Sequence, residues 1–394
     1  MARSGHAQTS GLADVLELSD PLGVVSVYVS ARDAATPGNA AMHALEVELA
    51  RLERTIDSAW ASDPEPARAA LAWIEQRVRD ASLAGGARNQ ALFAALGHGT
   101  TVAVEPGGAV PTRALLGPRA DVRPLCAALA EGRPAGVALA SAERIRALEW
   151  TPGALVEIWT VTVPELEQRD LLGPAHAHPR GLPGTAPGFK SGQQRDLFEG
   201  RSRKELERLL AATGEKIARL AAARDWHELA LGGEQRLVSA LVRGFPGGVQ
   251  VDIAPVPRIE QWRSLGELAE LVAPAIAGAR DRRTEQIVRR VLEEVGRGRA
   301  ALGLHETLDA LGEGRVDTLL VPADRPLEGR ATAAGALAAP GQVPLGSSEA
   351  ELVDEPMLAD AMIARALAAG ATVVVLSAKN AELLGDDAAA LLRY

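Results

Sequence analysis

The sequence predicts an α/β (α+β) protein of three domains, and three observations lead to this class. Short β-branched runs alternate along the chain with longer amphipathic stretches, as expected for strands and helices packed in layers. The chain of 394 residues exceeds the ~250–300 residues that one hydrophobic core usually supports. The composition, 47% hydrophobic and 24% charged, is typical of packed globular domains and excludes wholesale disorder.

The first domain is predicted to span residues 1–133. Its first apolar run, residues 22–29, is β-branched and bounded by Asp20-Pro21, which predicts a buried strand. Two amphipathic helices and a hairpin follow, and glycines on both sides of His98 give the hairpin its turn. These helices and strands are predicted at residues 41–60, 64–80, 91–96 and 101–105.

The second domain, residues 134–278, is predicted to form a mixed sheet and contains the most informative segment. Between Leu171 and Gly192 no periodic pattern is present, and glycine, proline and histidine dominate. A long structureless loop inside a compact domain is uncommon and usually functional or disordered. A long amphipathic helix is predicted to follow, from near Arg203 to Ala223. The other predicted elements are strands 136–140, 144–150, 155–163, 227–231 and 249–253 and helices 234–242 and 262–279.

The third domain, residues 279–394, is predicted to be a smaller α/β domain. The stretch 331–344 is rich in alanine and glycine, which predicts a flexible loop. No repeat of fixed period is visible, so repeat architectures are not expected. The predicted elements are a helix from residue 281, helices 302–311 and 356–369, and strands 316–321 and 372–376.

Charge and cysteine content limit the classes of function. The formal net charge of −9 argues against a nucleic-acid binder that is basic over its whole surface, so any RNA contact must be local. The single cysteine, Cys126, lies in an apolar stretch, which favours a buried thiol over a nucleophile. One cysteine permits neither an internal disulfide nor a cysteine-based zinc site. No apolar run reaches the ~18 residues that span a bilayer, and we expect a cytoplasmic protein.

Three patterns that resemble cofactor or metal motifs fail on their spacing. Residues 184–191 resemble a phosphate-binding loop, but Phe189 separates the last glycine from the lysine, which interrupts the run of backbone amides that such a loop needs. His176 and His178 alone make an incomplete metal site. The helix around His305 lacks the second histidine of a zinc protease. We therefore expect no metal and no cofactor.

The end of the glycine-rich loop resembles a known family. Ser191-Gly192-Gln193 comes directly before the long predicted helix, and Phe198 follows five residues after the glutamine. This arrangement is similar to the catalytic loop of the class-1 peptide release factors of archaea and eukaryotes. In that family a Gly-Gly-Gln tripeptide lies at the tip of a basic loop, and a phenylalanine five residues later starts the long helix.

The resemblance extends over roughly residues 135–394. The stretches 314–321 and 389–394 resemble the third domain of the same family, which implies a small α/β domain of the ribosomal L7Ae-like type. The opening strand 24–29 is similar to that of bacterial members of the superfamily, which include the hibernation factor Balon, and pelota-type factors are also similar. The Asn-Ile-Lys-Ser motif used in reading stop codons is absent from the sequence, so codon recognition is not implied.

The resemblance also implies which residues act. Gln193, with Gly192 giving the backbone its freedom, would position water on the ester of peptidyl-tRNA and stabilise the oxyanion, so no ionisable base is needed. Ser191 departs from the family glycine, at a cost of about 1–2 kcal/mol if its φ had to be positive. The residues implied to contact RNA have polar or basic side chains near the tripeptide. They are Lys190, Gln194, Arg195, Arg201, Arg203 and Lys204.

Three functions remain open at this point. The first is a factor that binds the ribosomal A site in hibernation, protection or rescue, with rRNA, P-site tRNA and a translational GTPase such as elongation factor Tu as implied partners. The second is a peptidyl-tRNA hydrolase that uses Gln193 in termination or rescue. Ser191 favours the first, and the retained Gly192-Gln193 pair favours the second. The third is a stand-alone α/β enzyme, for which we find no converging set of charged residues.

Overall fold

The computed structural model of the chain describes most of its length, and it forms two compact units. The described residues are 11–36, 38–59, 65–83, 88–141, 143–162, 190–247, 251–256, 263–344, 346–385 and 387–394. For residues 57–59, 82–83 and 190–206 the description covers the backbone only. One unit combines Met1–Gly132 with Thr284–Tyr394, and the other is Arg133–Arg283.

The N-terminal segment is an antiparallel sheet covered by helices. Its elements are β1 (Ser19–Val29), α1 (Ala31–Ala34), α2 (Ala40–Ala59), α3 (Glu65–Leu83), β2 (Gln90–Ala95), β3 (Thr101–Val104), β4 (Arg113–Arg119) and α4 (Arg123–Glu131). The strand order is β3-β2-β1-β4, and all three pairings are antiparallel. The strand β1 is buried without a break from Val24 to Val29, because layers pack on both of its faces. That explains its continuous apolar run.

The middle unit is a mixed five-stranded sheet between helices. Its elements are β5 (Ala135–Ala140), β6 (Arg144–Thr151), β7 (Ala154–Thr162), α5 (Lys190–Ala223), β8 (Glu228–Gly233), α6 (Gln235–Arg243), β9 (Asp252–Pro255) and the first part of α7 (Leu265–Val295). The order is β7-β6-β5-β8-β9. The first three strands form the predicted antiparallel meander, and β8 runs parallel to both β5 and β9. The helix α7 covers one face, and α5 with α6 covers the other.

The helix α7 differs from the prediction of two helices with a break near residue 280. It is a single helix of 31 residues with Pro274 inside it. The segment after Gly278 is rich in arginine and glutamate, which favour helix and allow it to continue. The predicted domain boundary between residues 278 and 279 therefore falls inside a helix.

The C-terminal segment contains two small sheets. Its elements are β10 (Ala300–Leu302), α8 (Leu304–Gly312), β11 (Val316–Pro322), β12 (Gly329–Thr332), β13 (Leu337–Ala338), β14 (Leu352–Glu355), α9 (Leu358–Ala368), β15 (Thr372–Leu376), α10 (Ala378–Glu382) and β16 (Ala389–Leu392). The sheets have the orders β10-β16-β11-β15 and β13-β12-β14. The prediction of a flexible loop over 331–344 is wrong in part, because Ala331 pairs with Leu337 between β12 and β13.

One apolar core joins the N-terminal and C-terminal segments of the first unit. Val25, Val27 and Val29 of β1 pack with α2 and α3. Tyr28, which alternates with them, belongs with Phe93 to a second core that also contains Leu319, Leu358 and Met362 of the C-terminal segment. The predicted α/β class is confirmed, and the N-terminal and C-terminal segments share this core. Among the helices that the structure describes, none combines the length and apolarity needed to cross a membrane.

Candidate functional site

The predicted tripeptide Ser191-Gly192-Gln193 lies at the beginning of α5, a helix of 34 residues that starts at Lys190. The sequence predicted a start near Arg203, and that prediction is wrong. Residues 190–203 contain no proline, and half of them are glutamine, arginine, leucine or glutamate, which favour helix strongly enough to accommodate two glycines. The helical segment therefore includes the residues that were expected to end the loop.

The helical backbone changes two expectations about the tripeptide. Right-handed helical residues have φ near −63°, so Ser191 does not incur the cost that a positive φ would impose. A helix rises by about 1.5 Å per residue, so Arg203 lies about 15 Å along the axis from Gln193. The basic residues therefore follow the tripeptide along α5. They are Lys190, Arg195, Arg201, Arg203 and Lys204, with Gln194 next to the tripeptide.

Several sequence expectations concern residues beyond the described parts of the chain. The predicted loop up to residue 189, with His176, His178 and the stretch that resembles a phosphate-binding loop, lies outside the described residues. The side chains of residues 190–206 also lie outside them, including Phe198 and every predicted catalytic or RNA-binding side chain. The roles of these side chains stay predictions.

The second half of α5 is anchored on the sheet of the middle unit. Leu210, Ile217 and Ala221 are buried in a core that includes Ile145 of β6 and Leu231 of β8. Fully burying a leucine or isoleucine side chain contributes roughly 1.5–3 kcal/mol. The apolar stripe predicted from the sequence is therefore the contact face of α5.

A close crossing of α5 and α6 fixes the position of the long helix. A Cβ added at Gly214 would overlap the carbonyl oxygen of Leu241, and a Cβ added at Gly244 would overlap the carbonyl oxygen of Ala211. Only residues without a side chain allow two backbones to approach this closely. The sequence analysis did not identify this crossing, because a single glycine in a helical pattern does not reveal its neighbour.

Polar and cation–π contacts hold the C-terminal part of α5 and the residues that follow it. The sequence analysis did not predict these contacts either. The Trp226 ring lies against Gly136, where a Cβ would overlap it, and its Nε1 donates a hydrogen bond to Glu149 Oε2 at 3.0 Å. Arg224 Nη1 lies 2.9 Å from each carboxylate oxygen of Glu149. Lys216 stacks on the ring of Trp159, 4.2 Å from its centroid. These contacts fix the C-terminal end of α5.

Cys126 and the candidate metal ligands were considered in the described part of the chain as sites of nucleophilic or metal-based chemistry. Burial raises the pKa of the Cys126 thiol to about 12, with further contributions from the Asp360 and Asp121 carboxylates. The thiol is therefore protonated at neutral pH and is a poor nucleophile. No group of three or more His, Cys, Asp or Glu that could hold a metal occurs among the described residues. His305 is exposed on α8.

The middle unit matches a known protein family. Residues 121–280 match the model of the family described as bacterial archaeo-eukaryotic release factor family 10. The match covers less than half of the chain, but it includes the mixed sheet, α6 and all of α5 with the tripeptide. The resemblance recognised in the sequence is thereby confirmed for this part of the chain, which is similar to a bacterial family of archaeo-eukaryotic release factors.

Solved structures of archaeal and eukaryotic factors are also similar to this chain. The crystal structure of the archaeal translation termination factor aRF1 is 14% identical, with a TM-score of 0.26, over 99% of this chain and 98% of that one. The archaeal Pelota in a model of ribosome-bound Pelota and ABCE1 is 13% identical, with a TM-score of 0.41, over 98% and 94%. Dom34 of S. cerevisiae is 10% identical, with a TM-score of 0.40, over 78% and 79%. No curated protein matches the chain.

Proposed function

We propose that the protein is a ribosome-associated factor that binds the A site and acts in ribosome hibernation, protection or rescue. The observation that carries this proposal is the family match over residues 121–280, because it contains α5 with Ser191-Gly192-Gln193 at its beginning. The proposal includes rRNA and P-site tRNA as partners, a translational GTPase such as elongation factor Tu as a further partner, and a cytoplasmic location.

The geometry of α5 supports a role at a confined site. The first side chain of α5 described as buried is Leu210, which lies about 25 Å along the helix axis from Gln193. The anchored half of the helix rests on the sheet and on the crossing with α6. A helix held in this way can present its beginning to a partner at a distance from the domain core.

The distribution of charge supports an RNA contact by the middle unit. Residues 133–283 contain 21 Lys and Arg against 19 Asp and Glu, whereas the rest of the chain contains 21 against 32. The acidic excess of the whole chain therefore lies in the unit that joins the N-terminal and C-terminal segments. A domain without that excess can approach phosphates at a lower electrostatic cost.

A second function, peptidyl-tRNA hydrolysis, is favoured by the retained Gly192-Gln193 pair. In that reaction the Gln193 amide would orient the attacking water, and backbone N–H groups would stabilise the oxyanion of the ester. No ionisable side chain of the protein is needed as a base. Ser191, in place of the family glycine, is the reason for ranking hydrolysis second.

The deciding experiment mixes the full chain with purified ribosomes that carry a labelled peptidyl-tRNA in the P site. Co-sedimentation and peptide release are measured for the wild type, Gln193→Ala and the neighbouring control Gln194→Ala. We expect all three proteins to co-sediment and none to release peptide. Release that drops by roughly 100-fold or more in Gln193→Ala, but not in the control, would establish the hydrolase.

Ser191→Gly is the complementary variant, because it restores the tripeptide of the family. We expect it to bind ribosomes as the wild type does. If it releases peptide while the wild type does not, Ser191 is the element that suppresses hydrolysis. A wild-type protein that neither co-sediments nor releases peptide would rule out the ribosomal function.

A further inference from the structure

The helices α5 and α6 carry three exposed arginines whose contacts differ from those of the neighbouring arginines on α5. Arg208, Arg236 and Arg243 are all exposed. Within the described part of the chain, no carboxylate forms an ion pair with any of the three. By contrast, Arg219 lies 2.5 Å from Glu215 on the same helix α5, and Arg224 is bound by Glu149.

The close crossing of the two helices brings these arginines onto neighbouring turns. Arg243 directly precedes Gly244, whose Cβ position overlaps the carbonyl oxygen of Ala211. Arg208 lies three residues before Ala211, less than one helical turn away. Arg236 lies seven residues before Arg243 on the same face of α6, at about 10 Å along the axis. We call these three residues the arginine surface.

The stability of α6 does not account for the arginine surface. Arg243 lies in the last turn of α6, where a cation complements the helix dipole. Arg236 lies in the first turn, where a cation opposes the dipole. The nine residues of α6 include no acidic side chain, and the carboxylate of Glu234 at the N-cap forms no ion pair with Arg236 in the described part of the chain. The presence of Arg236 therefore points to a partner outside the helix.

We infer that the arginine surface, Arg208, Arg236 and Arg243, binds the phosphate backbone of RNA. Guanidinium groups make paired hydrogen bonds to phosphate oxygens, and they remain charged at every physiological pH. The separation of Arg236 and Arg243, about 10 Å along α6, suits a row of phosphates better than one compact anion. The identification of this RNA as ribosomal rests on the proposed function.

The arginine surface is separate from the residues predicted at the beginning of α5. Arg208 lies about 22 Å along the helix axis from Gln193. The tripeptide and the arginine surface would therefore contact RNA at two places on the same domain. Removing the arginines should weaken binding of RNA without altering the tripeptide.

The test compares two triple variants of the full chain that have the same net charge. In the first, Arg208→Gln, Arg236→Gln and Arg243→Gln remove the arginine surface. In the control, the exposed residues of the other unit are changed by Arg77→Gln, Arg289→Gln and Arg290→Gln. The binding of a fluorescent A-form RNA duplex and co-sedimentation with ribosomes are measured over a series of KCl concentrations.

We expect the first variant to bind the duplex and the ribosome roughly 10- to 100-fold more weakly than the wild type near 0.1 M salt. The slope of log affinity against log salt should become shallower by about 2–3, since each of the three lost phosphate contacts removes about 0.7–0.9. The control variant should retain the wild-type affinity and slope.

The outcomes separate this inference from the proposed function. Equal binding by both triple variants overturns the inference, because total charge would then be the cause of any loss. A weaker affinity with an unchanged salt slope also overturns it, since the contact would not be to phosphate. If the wild type binds the duplex through these arginines but does not bind ribosomes, the inference stands and the proposed function fails.

Discussion

At the scale of single residues, Asp360 connects the C-terminal segment of the first unit to its N-terminal segment through hydrogen bonds. Its Oδ1 accepts hydrogen bonds from the backbone N–H of Val122 at 2.8 Å and of Arg123 at 3.3 Å, at the start of α4. Burial, together with the nearby Asp121 carboxylate, raises the pKa of Asp360 from its ordinary 3.8 to about 6. The folded protein thus binds this proton more tightly than the unfolded chain does.

The raised pKa predicts a pH-dependent contribution to stability. The stabilisation that proton binding at Asp360 gives is complete below about pH 4 and is lost as the pH rises through 6, a change on the order of 3 kcal/mol. Asp360→Asn keeps the acceptor oxygen without the charge. We expect its free energy of unfolding to exceed that of the wild type at pH 7 and to approach the wild-type value at pH 4, measured by urea denaturation.

Asp360→Ala distinguishes charge from hydrogen bonding. This variant leaves the N–H groups of Val122 and Arg123 without their acceptor, and each buried unsatisfied donor costs about 1–3 kcal/mol. It should therefore be less stable than Asp360→Asn at every pH. A constant difference between Asp360→Asn and the wild type from pH 4 to 7 would contradict the assignment.

At the scale of elements, the crossing of α5 and α6 depends on Gly214. Substitution of a helical glycine by alanine normally stabilises a helix by about 1 kcal/mol. At Gly214 the new Cβ would overlap the carbonyl oxygen of Leu241, which is backbone and can move only with α6. We expect Gly214→Ala to lower the free energy of unfolding by roughly 1–3 kcal/mol, measured by chemical denaturation.

Gly266 gives a matched control for that substitution. It lies in α7, and no atom lies within 4 Å of its Cβ position. Gly266→Ala should therefore stabilise the protein by roughly 0.5–1 kcal/mol. If both substitutions changed the free energy of unfolding equally, the close helix crossing would not be the reason for a glycine at position 214.

At the scale of the whole molecule, the first unit should unfold as one body. Phe93 is fully buried and contacts Tyr28 edge to face, with ring centroids 5.8 Å apart, in the core that both chain segments share. Phe93→Ala should cost about 3–5 kcal/mol. We expect faster hydrogen exchange in β1 and β2 and also in β11 and β15 of the C-terminal segment, measured by mass spectrometry.

Ile217→Ala provides the reciprocal case in the other unit. Ile217 is fully buried between α5 and the middle sheet. Its truncation should speed exchange in β5 and β8 and leave β11 and β15 as in the wild type. Unchanged protection of β11 and β15 in Phe93→Ala would show that the N-terminal and C-terminal segments unfold separately.

The differences between the predicted and observed elements have local explanations. β1 was predicted because its apolar residues are continuous. β4 was missed because most of its residues are only half-buried and it contains Gly117 and Pro118. The strands within 331–344 were missed because alanine and glycine favour neither strand nor a buried stripe. The start of α5 was placed too late because Gly192 and Gly200 were given more weight than the helix formers around them.

The sequence alone determined the fold class, the main strands and helices, and the resemblance carried by Ser191-Gly192-Gln193 and Phe198. These depend on local periodicity and on the order of neighbouring residues, which a linear chain displays directly. Three features were decided only by the tertiary structure. They are the crossing of α5 and α6 at Gly214 and Gly244, the apolar core shared by the N-terminal and C-terminal segments, and the proximity of the three residues of the arginine surface. Each of these depends on contacts between residues far apart in the chain. The hydrophobic periodicity of a segment shows which of its faces is buried, but it does not show which other segment packs against that face.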